Sequence, residues 1–199
     1  TLRYGIEQSK NLMTVRLAKE IGMPLVAEYA RRFGIYDDML PVLSMALGAG
    51  ETTVMRQVTA YSMLANGGRR IKPTLIDRIQ DRTGQTIYRH DGRQCIGCAA
   101  EKWKGQDEPK LVDNRDQVLD PLTAYQMVSI LEGAVQRGTG TALKAVGKPL
   151  AGKTGTTNDA KDVWFVGFSP DLAAGVYLGY DKPQSLGDRA TGGGFSAPI

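Results

Sequence analysis

Residues 150–180, LAGKTGTTNDAKDVWFVGFSPDLAAGVYLGY, decide the fold. Three short apolar or β-rich runs stand out: Leu150 to Thr154, Val163 to Ser169 and Ala173 to Tyr180. The turns between them suit antiparallel pairing, so the C-terminal part of the chain predicts an antiparallel sheet. Upstream the periodicity is helical. Leu2 and Ile6 share one helix face, Ser9-Lys10-Asn11 interrupts, and Leu12, Val15, Ala18 and Ile21 resume helical spacing as far as Gly22. The polar triplet therefore marks a helix junction.

Pro24 suits the first turn of a further helix, with Val26, Tyr29, Ala30 and Phe33 inward and Gly34 ending it. Thr52 or Thr53 can cap the next one, which buries Val54, Val58, Tyr61 and Leu64 or Ala65 and stops at Gly67-Gly68. Leu75 to Ile79 and Thr86 to Tyr88 form a hairpin across Asp81-Arg82-Thr83-Gly84. Residues 91–116 lack periodicity and carry many charges, and are expected to form a long surface excursion. Asp120-Pro121 signals a strong helix start, with Leu122, Tyr125, Val128 or Ser129, and Ala134 or Val135 facing inward up to Gly138. A short helix is expected over Thr141 to Val146. Helices from both ends flanking an antiparallel sheet make an α+β fold, with a groove between the sheet and the helical region.

With 42% hydrophobic and 23% charged residues, the 199-residue chain is a folded globular protein rather than a disordered one. Its length fits one ordinary domain, or one domain plus a small appendage, rather than two independent catalytic domains. No stretch approaches the roughly 20 apolar residues that cross a bilayer. The chain opens at Thr1 without an initiator Met and reads as an excerpt of a longer protein. A net charge of +4, with basic residues in mixed company and no aromatic-interleaved stripe, gives no nucleic-acid footprint.

The chemistry is concentrated in Ala151-Gly152-Lys153-Thr154-Gly155-Thr156-Thr157. Lys, hydroxyl and Gly in succession supply a fixed positive charge, a hydrogen-bonding group and a place where a ligand can lie against bare backbone. Those properties suit a peptide that carries a carboxylate. Strict alternation sends Lys153 and Thr154 to opposite faces, so for both to serve one site the ligand must lie along an exposed strand edge. Taken alone, Lys-Thr-Gly is equally a turn with a solvated Lys, and Ser9-x-Asn11 is equally a helix cap.

Together they carry more. A Ser-x-Asn at a helix junction followed by a strand-borne Lys-Thr-Gly in an α+β chain resembles the penicilloyl-serine transferases, whose pattern is Ser-x-x-Lys, Ser-x-Asn, Lys-Thr-Gly. More closely, the chain resembles the transpeptidase domain of class A penicillin-binding proteins of the type called 1a. The likeness runs through Val15-Arg16-Leu17, Ser44-Met45-Ala46-Leu47-Gly48 with Glu51, Ala60-Tyr61, Ala65-Asn66-Gly67-Gly68 and Gly138-Thr139-Gly140. Lys153 to Asp159, Asp162-x-Trp164-Phe165-Val166-Gly167-Phe168, Gly179-Tyr180-Asp181, Thr191-Gly192-Gly193 and Ala197-Pro198-Ile199 complete it.

The resemblance implies a penicillin-binding protein or serine β-lactamase-like fold, with residues 1–199 a partial transpeptidase domain truncated at both ends. It implies peptidoglycan cross-linking: acyl transfer from a stem peptide ending in D-Ala-D-Ala, through a serine ester, to a neighbouring amine. β-Lactams would be covalent inhibitors. Ser9 would relay a proton to the leaving group, Asn11 would bind the substrate amide, and Lys153 would hold the Ser9 hydroxyl. Thr154 and Thr156 would bind the terminal carboxylate beside Gly155, and the Thr156 N–H would form half of an oxyanion hole. No cofactor and no metal is implied. The parent protein would be membrane-anchored, fused to a glycosyltransferase domain and active at the periplasmic face of the bacterial inner membrane. A D,D-carboxypeptidase or β-lactamase of the same superfamily, or a non-catalytic β-lactam sensor, are the alternatives.

One motif is missing. None of Ser9, Ser44, Ser62, Ser129, Ser169, Ser185 and Ser196 has a Lys three residues later, and Thr141-x-x-Lys144 falls in the wrong order. The nucleophile would lie upstream of Thr1, leaving this chain inactive alone. Cys95-x-x-Cys98 lacks the βαβ context of a redox motif and the further ligands of a zinc site, with only His90 near. An oxidising compartment, as the family implies, favours a small loop disulfide. His90 is the only His, which makes a Ser-His-Asp triad improbable.

Overall fold

The structure, a computed structural model, describes residues 1–199. Helix α1 (Leu2–Glu7) starts at Thr1, whose hydroxyl accepts the Tyr4 N–H, and α2 (Asn11–Ile21) follows after a break at residues 8–10. Ser9 turns the chain there with φ of 52°, a left-handed conformation that costs a residue with a Cβ about 1 kcal/mol or more. It does not act as a helix cap: α2 begins from Lys10 with no side-chain cap bond.

Helix α3 (Met23–Arg32) carries Pro24 in its first turn, and Gly34 at φ of 70° takes the chain out of it. Val26, Ala27 and Ala30 pack with Ala18, Met23 and Met39. Tyr29, expected inward, is instead on the surface under the Arg32 guanidinium, 4.5 Å from its ring centroid, where the cation–π contact compensates for exposure. Helix α4 (Val54–Ala65) is capped by Thr53, which accepts the Arg56 N–H. Its most buried residues are Thr59, Ala60 and Met63, while the expected Val58, Tyr61 and Leu64 are half-buried. Val54 and Val58 meet the sheet at Gly175, where a Cβ would collide with Val58.

Residues 72–116 are a second compact unit. In it β1 (Arg78–Gln80) pairs antiparallel with β2 (Thr86–Arg89). The turn is held by Asp81, whose carboxylate accepts N–H bonds from Thr83 and Gln85 and a hydroxyl bond from Thr83, keeping its pKa below the usual range. The first strand starts later than Leu75 because the Thr74 hydroxyl takes the Ile76 N–H, a local bond that replaces a ladder bond. Strands β3 (Cys95–Ile96) and β4 (Lys110–Leu111) pair antiparallel, and a disulfide joins Cys95 to Cys98. His90 is exposed, its Nε2 3.0 Å from the Lys72 carbonyl oxygen.

The remaining residues, 1–71 and 117–199, form the other unit. Helix α5 (Pro121–Arg137) starts from Asp120, which accepts the Thr123 N–H. The face chosen from sequence is wrong at its start: Leu122 and Tyr125 are 75% and 73% exposed. The buried face runs through Ala124, Leu131, Ala134 and Val135, with Gly133 between them. Small side chains on this side let α5 lie close against β5 (Ala151–Thr156). Strands β6 (Asp162–Phe168) and β7 (Ala173–Gly179) complete an antiparallel sheet of order β5-β6-β7.

Helix α4 packs on β6 and β7. Leu131, Ala151 and Phe168 form a cluster with Tyr61, Leu64 and Val128, so both helices and the sheet share it. Tyr61 meets Phe168 edge-on at 6.5 Å, and burial pushes its phenol up to about 12. Trp164 packs on Tyr177 at 4.7 Å between centroids. A last turn of helix, Gly192–Ser196, lies on all three strands. The α+β class and the antiparallel C-terminal sheet are as the sequence predicts.

Candidate active site

Strand β5 is an edge strand, paired to β6 along one side and open along the other. Its register sets Lys153 opposite Val166, Thr154 opposite Phe165, Gly155 opposite Trp164 and Thr156 opposite Val163. Gly155 suits the packing as well: a Cβ there would sit 3.2 Å from the Trp164 Cβ, tighter than an ordinary contact. The open edge is the one along which an extended peptide can add.

Lys153 Nζ donates to Ser9 Oγ at 2.8 Å and to the Thr154 carbonyl at 2.9 Å. The first bond joins residues 144 positions apart. Burial pushes the Lys153 ammonium down to about 8. Asn11 begins α2 two residues beyond Ser9, exposed and without a side-chain hydrogen bond. The structure therefore brings Ser9 and Lys153 into contact and leaves Asn11 adjacent in the chain but unbonded.

The threonines are engaged by other loops. Thr154 Oγ1 lies 2.6 Å from Thr139 Oγ1. Thr156 Oγ1 accepts the Gly192 N–H at 3.1 Å, and a Cβ on Gly192 would collide with the backbone of Gly155 and Trp164. A polar cavity of about 590 Å³ opens beside Thr156, lined also by Asp159, Ser185 and Asp188. A separate apolar cavity of about 400 Å³, lined by Tyr29, Phe33, Tyr61 and Met127 among others, holds none of the candidate residues.

A frame around Ser9 escaped the sequence reading. Glu7, 3% exposed, accepts two bonds from the Arg137 guanidinium, at 2.9 and 2.5 Å, and lies 3.7 Å from Arg3. Gln8 donates to the Arg137 carbonyl at 2.8 Å, and the Thr139 N–H donates to the Glu7 carbonyl at 3.2 Å. Gly133 and Gly138 make room, since a Cβ on either would collide with Glu7. These bonds tie the α1–α2 junction to the end of α5. The sequence signal was Gly138-Thr139-Gly140, which bore no role until the structure set Thr139 between Glu7 and Thr154. A half-buried cation, a hydroxyl within its reach and an open strand edge beside two further hydroxyls can bind an anionic peptide end and move a proton near it.

Comparison with known proteins gives consistent results. A model of the penicillin-binding protein transpeptidase domain matches residues 1–199. Penicillin-binding protein 1A of Rickettsia conorii is 45% identical over 202 residues, covering 100% of this chain and 25% of that protein. The Neisseria gonorrhoeae penicillin-binding protein 1A is 42% identical, covering 100% of this chain and 23% of its own. The chain thus spans about a quarter of the length of the curated relatives it matches. Among solved structures, penicillin-binding protein 1A from Haemophilus influenzae superposes with a TM-score of 0.80 at 26% identity, over 97% of this chain and 32% of that one. PonA1 from Mycobacterium tuberculosis, solved in complex with penicillin V, gives 0.75 at 23% identity over 100% of this chain and 53% of that one, a likeness of fold.

Proposed function

Because the chain belongs to the penicillin-binding protein transpeptidase domain family over its whole length, we propose that it forms the substrate-binding and proton-relay part of a serine D,D-transpeptidase that cross-links peptidoglycan. The observation that carries this reading is the 2.8 Å bond from Lys153 to Ser9 beside an open strand edge. Neither Ser-x-Asn nor Lys-Thr-Gly is informative alone, and their meeting in space is what the chemistry needs.

In the first half-reaction a serine Oγ, supplied by a Ser-x-x-Lys segment upstream of Thr1, adds to the penultimate D-Ala carbonyl. The C–N bond to the terminal D-Ala breaks, and the hydroxyl proton passes by way of Ser9 to the departing amine. Lys153 keeps the Ser9 oxygen in place and supplies positive potential at the anionic substrate end. Asn11 binds the substrate amide, Thr154 and Thr156 bind its carboxylate, Gly155 lets the peptide lie close, and the Thr156 N–H faces the developing oxyanion. In the second half-reaction an acceptor amine adds to the ester, the C–O bond breaks and the proton returns to the serine oxygen. A β-lactam enters the first half-reaction and stalls before the second.

The fraction of the relatives' length that this chain covers supports a parent protein with further domains, a glycosyltransferase domain among them. No helix here is long and apolar enough to cross a membrane, so the anchor of such a protein, and its placement at the periplasmic face, would come from other segments. Residues 91–116 would be a surface excursion of the partial domain.

The test extends the chain upstream to the next Ser-x-x-Lys, incubates it with benzylpenicillin and measures intact mass, with residues 1–199 as control. A single penicilloyl adduct on the upstream Ser, and none on residues 1–199, is the expected result. Absence of any adduct on the extended protein overturns the reading.

A further inference from the structure

We propose that Thr139 is a substrate-binding residue whose hydroxyl joins that of Thr154 in holding the terminal carboxylate of the acyl donor. This rests on the transpeptidase reading above. The two hydroxyl oxygens lie 2.6 Å apart. Each hydroxyl has one proton, so one donates within the pair and the other proton is left over to point outward. An arriving carboxylate can take both: the hydroxyl–hydroxyl bond is given up, and two charge-assisted bonds replace it.

The surroundings favour that exchange. The Thr139 backbone is pinned on two sides, its N–H on the Glu7 carbonyl at 3.2 Å and its carbonyl against Gly193, where a Cβ would collide with it. A β-branched side chain on a pinned backbone has little rotamer freedom left, so the hydroxyl is pre-oriented toward Thr154. Gly193 also approaches the Thr154 methyl, its Cβ position lying 3.8 Å from Cγ2, so a bare glycine turn packs closely against both threonines. Both side chains are half-buried, which shelters the bonds from water without closing the site. Lys153 donates to the carbonyl of Thr154 itself and supplies the positive charge that an anion at this point requires. Thr154 would otherwise share the carboxylate with Thr156 alone, its own hydroxyl already engaged by the Thr139 hydroxyl, which has no other side-chain partner.

A purely structural role for Thr139, tying its loop to β5, makes a different prediction, and substrate chemistry separates the two. In the full-length protein, acylation is measured with a peptide acyl donor bearing a free terminal carboxylate and with the same donor as its carboxamide. The wild type favours the carboxylate. Thr139→Val, which keeps shape and loses the hydroxyl, is expected to lower the carboxylate-to-carboxamide ratio roughly tenfold or more, and Thr139→Ser is expected to restore it. Should Val at position 139 prevent folding, judged by thermal melting, Thr139→Ala takes its place in the same comparison. An equal fall in both rates overturns the proposal in favour of the structural tie. A ratio unchanged in Thr139→Val but collapsed in Thr154→Val also overturns it and leaves the transpeptidase reading standing. A ratio unchanged in both variants overturns that reading, and the role of Thr139 with it.

Discussion

The carboxylate of Glu7 is gripped by the guanidinium of Arg137 through two hydrogen bonds, 130 positions apart in the chain, while Glu7 keeps only 4% of its side chain exposed. Arg137 is itself 57% exposed, so the pair is half in water and the attraction is weaker than in a fully buried bridge. The burden falls on Glu7, which cannot reach solvent if Arg137 is lost.

Arg137→Ala is accordingly expected to destabilise the domain by about 2–4 kcal/mol, because it leaves a buried carboxylate with Arg3 as its nearest cation. Urea unfolding of the nucleophile-bearing protein measures it. The same variant is expected to slow acylation, since Ser9 follows Glu7 by two residues and takes its position from this frame. Glu7→Gln, which removes the charge but keeps an acceptor, should cost less than Arg137→Ala. The reverse order would show that the pair does not hold the junction.

A second expectation concerns pH. The Lys153 ammonium, pushed by burial down to about 8, is the charged partner of Ser9. If the cation is the competent form, acylation is high below pH 8 and falls as pH rises through it. Lys153→Arg removes that limb from the measured range, because guanidinium stays charged. Stability runs the other way. The unfolded chain holds the Lys proton up to about pH 10.4 and the folded chain releases it near 8, so Lys153 adds stability as pH rises between those values. Denaturation of wild type and Lys153→Met at pH 7 and pH 10 should show the gap between them shrinking.

Gly192→Ala tests the wall over β5. A methyl there meets the backbone of Gly155 and Trp164, and the Gly192 N–H that Thr156 accepts moves with it. A loss of about 1–3 kcal/mol in stability is expected, with slower acylation by benzylpenicillin. An unchanged melting temperature together with unchanged acylation would remove Gly192 from the site.

The Cys95–Cys98 bond closes a loop with a sequence separation of only 3, so chain entropy assigns it about 2 kcal/mol, at the low end for disulfides. It lies in the unit of residues 72–116, which contributes no residue to the site. Replacing both cysteines by Ser should leave acylation unchanged and raise protease sensitivity within residues 72–116.

The legible parts of the molecule were those written locally. Asp120-Pro121, Thr53 and the paired Gly67-Gly68 mark helix ends by their own chemistry, and the short runs after Leu150 could only pair as neighbours. Face assignment failed where a helix offers apolar residues all round. In α5 size pointed to Leu122 and Tyr125, which are exposed, while Ala134 and Val135 were placed correctly and the buried face also takes in Ala124, Leu131 and Gly133, the last of them facing Glu7. Ser9 and Lys153 were legible through resemblance, since neither spacing nor periodicity says that two residues so far apart will touch. Glu7, Arg137 and Thr139 were illegible for the same reason: each looks like an ordinary helix or loop residue until the partner from the distant segment arrives. The left-handed turn at Ser9 had no local signature either, as neither Gly nor Asn stands there.

The bridge between Arg69 and Gln117 closes the base of the segment that carries the disulfide. Two chain points held this close make what hangs beyond them almost independent in length: each doubling of such a loop costs only about 0.6 kcal/mol. Insertions and deletions between them need not be transmitted to β5 or to the junction at Ser9. Changes of length and surface within the segment thus leave the contact between Ser9 and Lys153 undisturbed.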